Sequence, residues 1–358
     1  MSLAEFPQHS EPIHFPETPN KPNVVFGIYL PKTILTNQDL ESWNIKSKPN
    51  GKPKTARSIL EITGIETRRV ANDKETPLEM GLSAAQQALN GEKADVVIVS
   101  TSFPVKFNIS QRISERLGLT PESHLDVHAA CSGFTRSLAY LKKNEQQFNG
   151  KRILLVTTEK YSPHVHDLRR IEGVAADPSL AQTLFSDGAY AVLFEFGKDM
   201  KILSAVNYSF PEKVSNFIKM PVDPKFMVLP YINEPVPYPE SHKFEQDGKE
   251  VLSTVSANIW SLIDEAVRRA NLAPSDIKRV FPHQGSKPMT QAIIRAKMDG
   301  YDDGIVDEDY QEGNFSSASI PKALMKAVNR GEIKRGDNLV LAGFGAGMFA
   351  SIAVVRLG

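Results

Sequence analysis

Two kinds of hydrophobic pattern alternate along this chain. Short continuous apolar runs, rich in β-branched residues, are typical of strands that are covered on both faces of a sheet. Such runs predict strands at residues 23–30, 94–100, 152–158 and 188–196. Between them, apolar residues recur at helical spacing, most clearly at residues 76–89. The alternation predicts an α/β protein in which a sheet lies between layers of helices.

The second half of the chain repeats the order of elements of the first half. The apolar runs at residues 277–283, 338–342 and 349–357 correspond in order to those at 94–100, 152–158 and 188–196. Repetition of a pattern without repetition of residues indicates an internal duplication. We therefore predict three parts: an irregular N-terminal arm at residues 1–22, a first half at 23–200 and a second half at 201–358.

Composition excludes several classes of partner. The 42 basic residues balance the 42 acidic ones, so no net charge favours nucleic acid or an anionic membrane. No apolar run reaches the length of a membrane span, and the N-terminus lacks a signal-peptide layout, so we expect a cytoplasmic protein. His164 and His166, two positions apart in a proline-bearing loop, are a poor ligand set, and we predict no metal site.

The single cysteine, Cys131, has an informative setting. A short apolar run leads into the segment at residues 126–134, and a helical pattern that includes Leu138 and Leu141 follows it. This order predicts a thiol at a helix N-terminus, where unpaired N–H groups and the helix dipole favour the thiolate. The residues alone allow either a nucleophile or a buried structural cysteine. Asp126, on the approach to the turn, is expected to be structural.

Three further segments carry candidate chemistry. His283 follows a predicted strand, Asn314 lies in a small-residue turn before a helix, and residues 343–347 read Gly-Phe-Gly-Ala-Gly. Each has an ordinary structural explanation when it is taken singly: a hydrogen-bonded histidine, a turn asparagine and a tight turn between two strands.

Taken together, four blocks in order resemble the condensing enzymes of the thiolase superfamily, most closely the β-ketoacyl-acyl-carrier-protein synthase III branch. The blocks are residues 129–134, 283–284, 313–321 and 343–347, with further matches at 63–69 and 186–188. The resemblance covers residues 23–358. It implies a duplicated, five-layered α-β-α-β-α fold with Cys131 on a buried helix between two sheets.

The resemblance also implies a mechanism. Cys131 would take an acyl group from a thioester, and the backbone N–H groups of Cys131 and Ala346 would hold the oxyanion. His283 and Asn314 would polarise a malonyl-type thioester, which loses carbon dioxide and forms a C–C bond with the acyl group. Substrates would be carried on the phosphopantetheine of acyl carrier protein or coenzyme A, with no other cofactor, in fatty-acid or specialised polyketide-like metabolism.

The same resemblance implies partners. The protein would be a homodimer, with Phe107 at the dimer interface and the floor of the acyl tunnel. Lys287, Arg295 and Lys297 would present a basic face to an acidic carrier protein. In the segment at residues 56–62, both positions at which the family carries the Trp and Arg that hold the adenine of coenzyme A are lost, which favours a carrier protein as acyl donor.

Two alternative functions stay open at this point. The first is an acyltransferase of secondary metabolism that moves the acyl group to an oxygen, nitrogen or other carbon nucleophile. The second is a non-catalytic partner subunit of a synthase. Such a subunit has no need of Cys131, His283 and Asn314 together, which argues against it.

Overall fold

The computed structural model of the protein describes residues 20–46, 51–102, 107–165, 180–211, 218–219, 245–346 and 348–358. Its strands are β1 (Val25–Tyr29), β2 (Thr33–Thr36), β3 (Thr67–Val70), β4 (Val96–Ser100), β5 (Ser123–Val127), β6 (Arg152–Glu159), β7 (Gly188–Glu195), β8 (Met200–Ser209), β9 (Ile218–Lys219), β10 (Glu245–Gln246), β11 (Ile277–Pro282), β12 (Asn338–Gly345) and β13 (Phe349–Leu357). Its α-helices are α1 (Asn37–Ser42), α2 (Ala56–Thr63), α3 (Pro77–Leu89), α4 (Ile109–Leu117), α5 (Gly133–Lys143), α6 (Glu145–Phe148), α7 (Ser162–Val165), α8 (Gly248–Arg269), α9 (Lys287–Arg295) and α10 (Ser319–Asn329). Short 3-10 turns lie at Ala130–Ser132, Leu180–Thr183, Pro274–Asp276 and Ser316–Ala318.

Two large sheets share one topology. The first has the order β1-β7-β6-β4-β5 and the second has the order β8-β13-β12-β11. In both sheets the first two pairings are antiparallel and the next is parallel. Val306 forms a parallel bridge with Val280 of β11, at the place that β5 takes beside β4. The predicted duplication is confirmed by this succession of pairings.

Helices cover both faces of both sheets. Helices α5 and α10 lie between the sheets, and one apolar cluster joins Phe134 and Leu138 of α5 to Ile320 and Leu324 of α10 and to strands of both sheets. Helices α3 and α4 cover the outer face of the first sheet. Helices α8 and α9 cover the outer face of the second sheet. The predicted five-layered α-β-α-β-α fold is confirmed.

Two expectations need correction or lie outside the described residues. Residues 343–345 are not a turn, because they extend β12 and pair with Phe349–Ser351 of β13. Ala346 and Met348, which follow β12, are turn residues, and residue 347 lies outside the described part. Most of the predicted arm, residues 1–19, also lies outside the described part. Within the described ranges, no helix is both long enough and apolar enough to cross a membrane.

Candidate active site

Cys131 lies in the 3-10 turn that leads directly into α5, as predicted. The turn is tightly enclosed: the side chain is buried, and Ala130 has a φ of 43°, in the left-handed region that residues other than glycine rarely adopt. Strand β12 passes against the turn at Gly345. A Cβ placed there would lie 2.8 Å from the backbone N of Cys131. Only glycine permits this approach.

Contrary to the expectation from the helix N-terminus, the structure favours the protonated thiol of Cys131 over the thiolate. Burial raises the pKa of the thiol to about 12, although a hydrogen bond from Ser316 acts in the opposite direction. A thiolate loses its hydration when it is buried, which disfavours the charged form. At neutral pH the thiol is therefore protonated. A reaction that uses the thiolate as nucleophile needs a nearby group that accepts the proton.

His283 follows β11 and is held by backbone and side chain. Its N–H donates to the carbonyl of Ala342 on β12 at 2.8 Å, and its Nδ1 lies 2.8 Å from Oγ of Ser319. Burial lowers the pKa of the imidazole to about 3, so the ring is neutral at physiological pH. The same Oγ accepts from the backbone N–H of Gln284 at 3.4 Å and donates to the carbonyl of Ser316 at 2.9 Å, so the hydroxyl that holds the ring is itself fixed.

Asn314 is fixed by a short bridge to the segment before β7. Its N–H donates to the carbonyl of Leu184 at 2.8 Å, and its carbonyl accepts from the N–H of Ser186 at 2.9 Å. Its Oδ1 accepts from the backbone N–H of Ser316 at 2.8 Å, which leaves the amide nitrogen to face away from that turn. Gly313 has a φ of 95°, and a Cβ there would lie 2.3 Å from Oγ of Ser186.

The three predicted catalytic side chains meet at one cavity. A Cβ built on Gly285 would lie 3.5 Å from Nε2 of His283 and 3.9 Å from Nδ2 of Asn314, so both nitrogens face the same small space. Cys131, His283, Asn314 and Ala346 all line a cavity of about 270 Å³. Much of the remaining wall is apolar and includes Ile62, Leu184, Phe185, Val251, Leu252, Met289, Phe344 and Met348.

A cluster of hydroxyl groups lies against the thiol. Oγ of Ser316 donates to Sγ of Cys131 at 3.3 Å and lies 2.8 Å from Oγ of Ser102. The hydroxyl of Tyr161 lies 2.9 Å from Oγ of Ser102 and 3.2 Å from Oγ of Ser316. The sequence analysis did not predict these contacts, because the participating residues come from three separate parts of the chain.

Glu159, the last residue of β6, ends this hydroxyl cluster. Its carboxylate accepts from the N–H and Oγ of Ser102 at 3.0 and 3.1 Å, and from the N–H and Oγ of Ser317 at 3.3 and 2.5 Å. Burial raises the pKa of this carboxyl group to about 7, against the effect of these hydrogen bonds. Sequence reasoning missed Glu159, although an acid at the end of an apolar strand is a detectable signal.

Phe107 does not line the cavity of the single chain. Its side chain is 40% exposed, just before α4, and the guanidinium of Arg112 lies 5.8 Å from its ring centre. Residues 103–106 of the predicted tunnel segment lie outside the described part. Asp126 is structural, as expected, because its carboxylate accepts from the N–H groups of Ile109 and Ser110, at 2.6 and 2.9 Å, at the start of α4.

The three predicted docking cations differ in their surroundings. Lys287 and Arg295 are exposed at the two ends of α9. Lys297 is half-buried, since its Nζ donates to the carbonyl of Tyr301 at 2.6 Å and pairs with Asp303 at 3.4 Å. Lys297 is therefore a local structural contact, whereas the other two remain accessible.

Metal ligands were not expected, and the described ranges contain no group of three His, Cys, Asp or Glu side chains that could hold an ion. Of the histidine pair considered above, His166 lies outside the described residues.

Comparison with known proteins agrees with the fold and the cavity. A family model described as 3-oxoacyl-[acyl-carrier-protein] synthase III matches residues 125–209, and the model of its C-terminal part matches residues 249–357. A β-ketoacyl-[acyl-carrier-protein] synthase III of Methylococcus capsulatus is 30% identical over 341 residues, which cover 92% of this chain and 97% of the relative.

Solved structures give the same result. The synthase III of Thermus thermophilus is 26% identical, with a TM-score of 0.74, and the match covers 93% of this chain and 98% of that one. The priming β-ketosynthase of the R1128 polyketide pathway is 26% identical, with a TM-score of 0.75, over 95% of this chain and 98% of that one. The chain therefore belongs to the β-ketoacyl-acyl-carrier-protein synthase III family of condensing enzymes.

Proposed function

We propose that this protein joins an acyl group to a malonyl-type thioester by decarboxylative condensation, in fatty-acid or polyketide-like metabolism. One observation carries the proposal: a single cavity with much apolar wall presents a thiol, a neutral imidazole and a side-chain amide. A thiol can hold an acyl group covalently, and two neutral donors can stabilise an enolate without placing a fixed charge in an apolar site.

In the first half-reaction, Sγ of Cys131 attacks the carbonyl carbon of the acyl thioester. The backbone N–H groups of Cys131 and Ala346, which both belong to residues of the cavity wall, hold the oxyanion. Collapse of this intermediate releases the carrier thiol and leaves the acyl group on Cys131.

In the second half-reaction, Nε2–H of His283 and Nδ2–H of Asn314 donate to the carbonyl oxygen of the malonyl-type thioester. Loss of carbon dioxide then leaves an enolate, whose negative oxygen these donors stabilise. The enolate carbon attacks the acyl-Cys131 carbonyl, forms the C–C bond and expels the Cys131 thiolate. The Ser319 hydroxyl, which lies 2.8 Å from Nδ1, holds the imidazole ring in place for this step.

The acyl and malonyl groups arrive on phosphopantetheine, preferentially that of an acyl carrier protein, and no resident cofactor takes part. Lys287 and Arg295 provide the carrier docking face, because both are exposed on α9, whose neighbouring residues Pro288 and Met289 line the cavity. Opposite charges at such a surface accelerate encounter with an acidic carrier. Lys297, which pairs locally, contributes less.

We also propose a homodimer. Strand β5 lies at an edge of the first sheet, and its residues remain partly exposed in the single chain. An open edge presents unpaired backbone groups that a second copy can pair with. Phe107, exposed nearby ahead of α4, would then be covered by the partner. A cytoplasmic location suits a single cysteine that must stay reduced.

Intact-protein mass spectrometry tests the proposed chemistry. After incubation with an acyl carrier thioester, the wild type should gain the mass of the acyl group, and addition of the malonyl thioester should release carbon dioxide and a β-ketoacyl thioester. Cys131→Ala should not load. Asn314→Ala and His283→Ala should load but form little product, since they act on the second substrate.

Other outcomes would identify another function. An ester or amide product without release of carbon dioxide would indicate acyl transfer to oxygen or nitrogen. A wild type that gains no acyl group from any carrier would support a non-catalytic subunit. Light scattering should give twice the 39.6 kDa chain mass, and a monomer would contradict the proposed dimer.

A further inference from the structure

Glu159 is a buried carboxylate to which the condensation scheme gives no role. Its side chain is fully buried, and no ion pair involves it within the described part of the chain. Among the described residues, its oxygens receive hydrogen bonds from Ser102 and Ser317. A buried acid without a cation is costly to maintain, so a functional reason for its presence is worth testing.

An unbroken series of hydrogen bonds connects Glu159 to the nucleophile. Sγ of Cys131 and Oγ of Ser316 are 3.3 Å apart, Oγ of Ser316 and Oγ of Ser102 are 2.8 Å apart, and Oγ of Ser102 and Oε1 of Glu159 are 3.1 Å apart. Each hydroxyl has one proton and can accept another. A proton that enters at one end can therefore leave at the other without movement of a heavy atom.

We propose that Glu159 accepts the proton of the Cys131 thiol through Ser316 and Ser102 when Cys131 becomes acylated, and returns it after condensation. The inference deepens the proposed function, on which its second step rests. Glu159 and the two serines do not touch the acyl group. They are positioning residues that set the protonation state of the nucleophile.

The protons balance over the full cycle. In loading, the Ser316 hydroxyl, which donates to Sγ in the resting site, first rotates its proton towards Oγ of Ser102. The thiol proton then passes to Ser316, the proton of Ser316 to Ser102 and that of Ser102 to Glu159, while Sγ bonds to the acyl carbon. The expelled carrier thiolate takes one proton from solvent. In condensation, the C–C bond forms as the C–S bond breaks, and the Cys131 thiolate regains its proton by the reverse path. The relay therefore returns to its starting state.

The surroundings favour Glu159 over His283 as the acceptor. Burial lowers the pKa of His283 to about 3, so a proton on the ring is strongly disfavoured. Burial raises the pKa of the Glu159 carboxyl to about 7, which makes it a better base than an ordinary carboxylate. Within the described part of the chain, Cys131 and Tyr161 are ionisable side chains that interact with Glu159, and burial raises the pKa of both.

The experiment measures alkylation of Cys131, the only cysteine, by iodoacetamide as a function of pH. It needs no acyl donor, so it can fail or succeed independently of the proposed function. In the wild type, Cys131 and Glu159 can share a single proton. In one state the proton lies on the thiol, and in the other it lies on Glu159 and Cys131 is a thiolate. The alkylation rate should therefore rise in two steps, one near pH 7 and one at much higher pH.

Two variants interrupt the relay. Glu159→Gln should lose the lower step, so its alkylation rate should rise with pH in a single step. Ser102→Ala removes the middle hydroxyl but keeps the backbone N–H that bonds Glu159, so it serves if the first variant does not fold. Because the Glu159 carboxylate loses the hydrogen bond from the Ser102 hydroxyl, the lower step should move to higher pH.

Asp187→Asn is the matched control. Asp187 is another fully buried carboxylate, but it accepts from the backbone N–H groups of Ala71, Tyr161 and Ser162 and has a structural role. This variant should retain the lower step. Persistence of that step in folded Glu159→Gln, or an unshifted step in Ser102→Ala, would overturn the inference, and so would its loss in a folded control.

Discussion

Substitution of Gly345 by alanine tests how closely β12 must approach the nucleophile. The added Cβ would lie 2.8 Å from the backbone N of Cys131, 3.2 Å from its Cβ and 3.4 Å from Cβ of Ala130. The first atom belongs to the backbone and cannot rotate away. Ordinary carbon contacts begin near 3.5 Å, so the strand and the turn must separate by roughly 0.5 Å or more.

This separation has two consequences of different size. Overpacking of this kind costs about 1–3 kcal/mol of folding free energy. The effect on loading should be larger, because the shift moves the N–H groups of Cys131 and Ala346 apart, and loss of one oxyanion donor costs about 100-fold or more in rate. The assay follows the rate of acyl loading by intact mass and the free energy of unfolding by urea titration.

Gly285→Ala is the control for this prediction. Its Cβ would meet no heavy atom closer than 3.5 Å, which is ordinary van der Waals contact, and its φ lies outside the left-handed region. It should load at nearly the wild-type rate. If Gly345→Ala loaded within threefold of the wild type, or Gly285→Ala loaded as slowly as Gly345→Ala, the oxyanion geometry proposed here would be incorrect.

Three further predictions address docking, pH and helix capping. Charge reversal at Lys287 or Arg295 should slow loading of Cys131 from acyl carrier protein and weaken the salt dependence of that rate, with little effect on loading from acyl-coenzyme A. As a control, charge reversal at Lys143, in the last turn of α5, should leave both loading rates unchanged. Burial raises the pKa of the Asp307 carboxyl group to about 7, so its ionisation lowers the free energy of unfolding as pH rises from about 4 to 7. Asp307→Asn should therefore stabilise the protein by about 2 kcal/mol at pH 8 and little at pH 4. An equal effect at both pH values would exclude this cause. Asp126→Ala should cost about 1–2 kcal/mol in urea unfolding, because two N–H groups at the start of α4 lose their acceptor, and a neutral result would contradict its capping role.

The strands with continuous apolar runs were the most predictable part of the fold. Strands β4, β6 and β7 begin and end within two residues of the predicted ranges, because central strands covered on both faces need apolar residues at every position. Strand β8 escaped prediction because it is an edge strand whose first residues alternate between buried and exposed. The division of the chain at residue 200 stays a prediction.

For the site, residue positions were easier to predict than charge states. The resemblance brought Cys131, His283 and Asn314 to attention, and the structure places all three around one cavity, while their roles remain proposals. The raised pKa of Cys131 could not be predicted from its helix position, because burial depends on residues from both halves of the chain. Glu159 contacts the turn before α10 across 158 positions of sequence, a separation that no local pattern reveals.

The duplication explains why the site contains two facing helix starts. Helix α5 and helix α10 occupy corresponding places between the sheets, and each follows a 3-10 turn. The first residue of each turn, Ala130 and Ser316, has a positive φ of 43° and 51°. Because the two turns pack against each other, a residue in one reaches the other at short range, as Ser316 reaches Cys131. The repeat thus supplies the same strained turn twice. One copy presents the thiol, and the other presents the hydroxyl that we propose carries its proton.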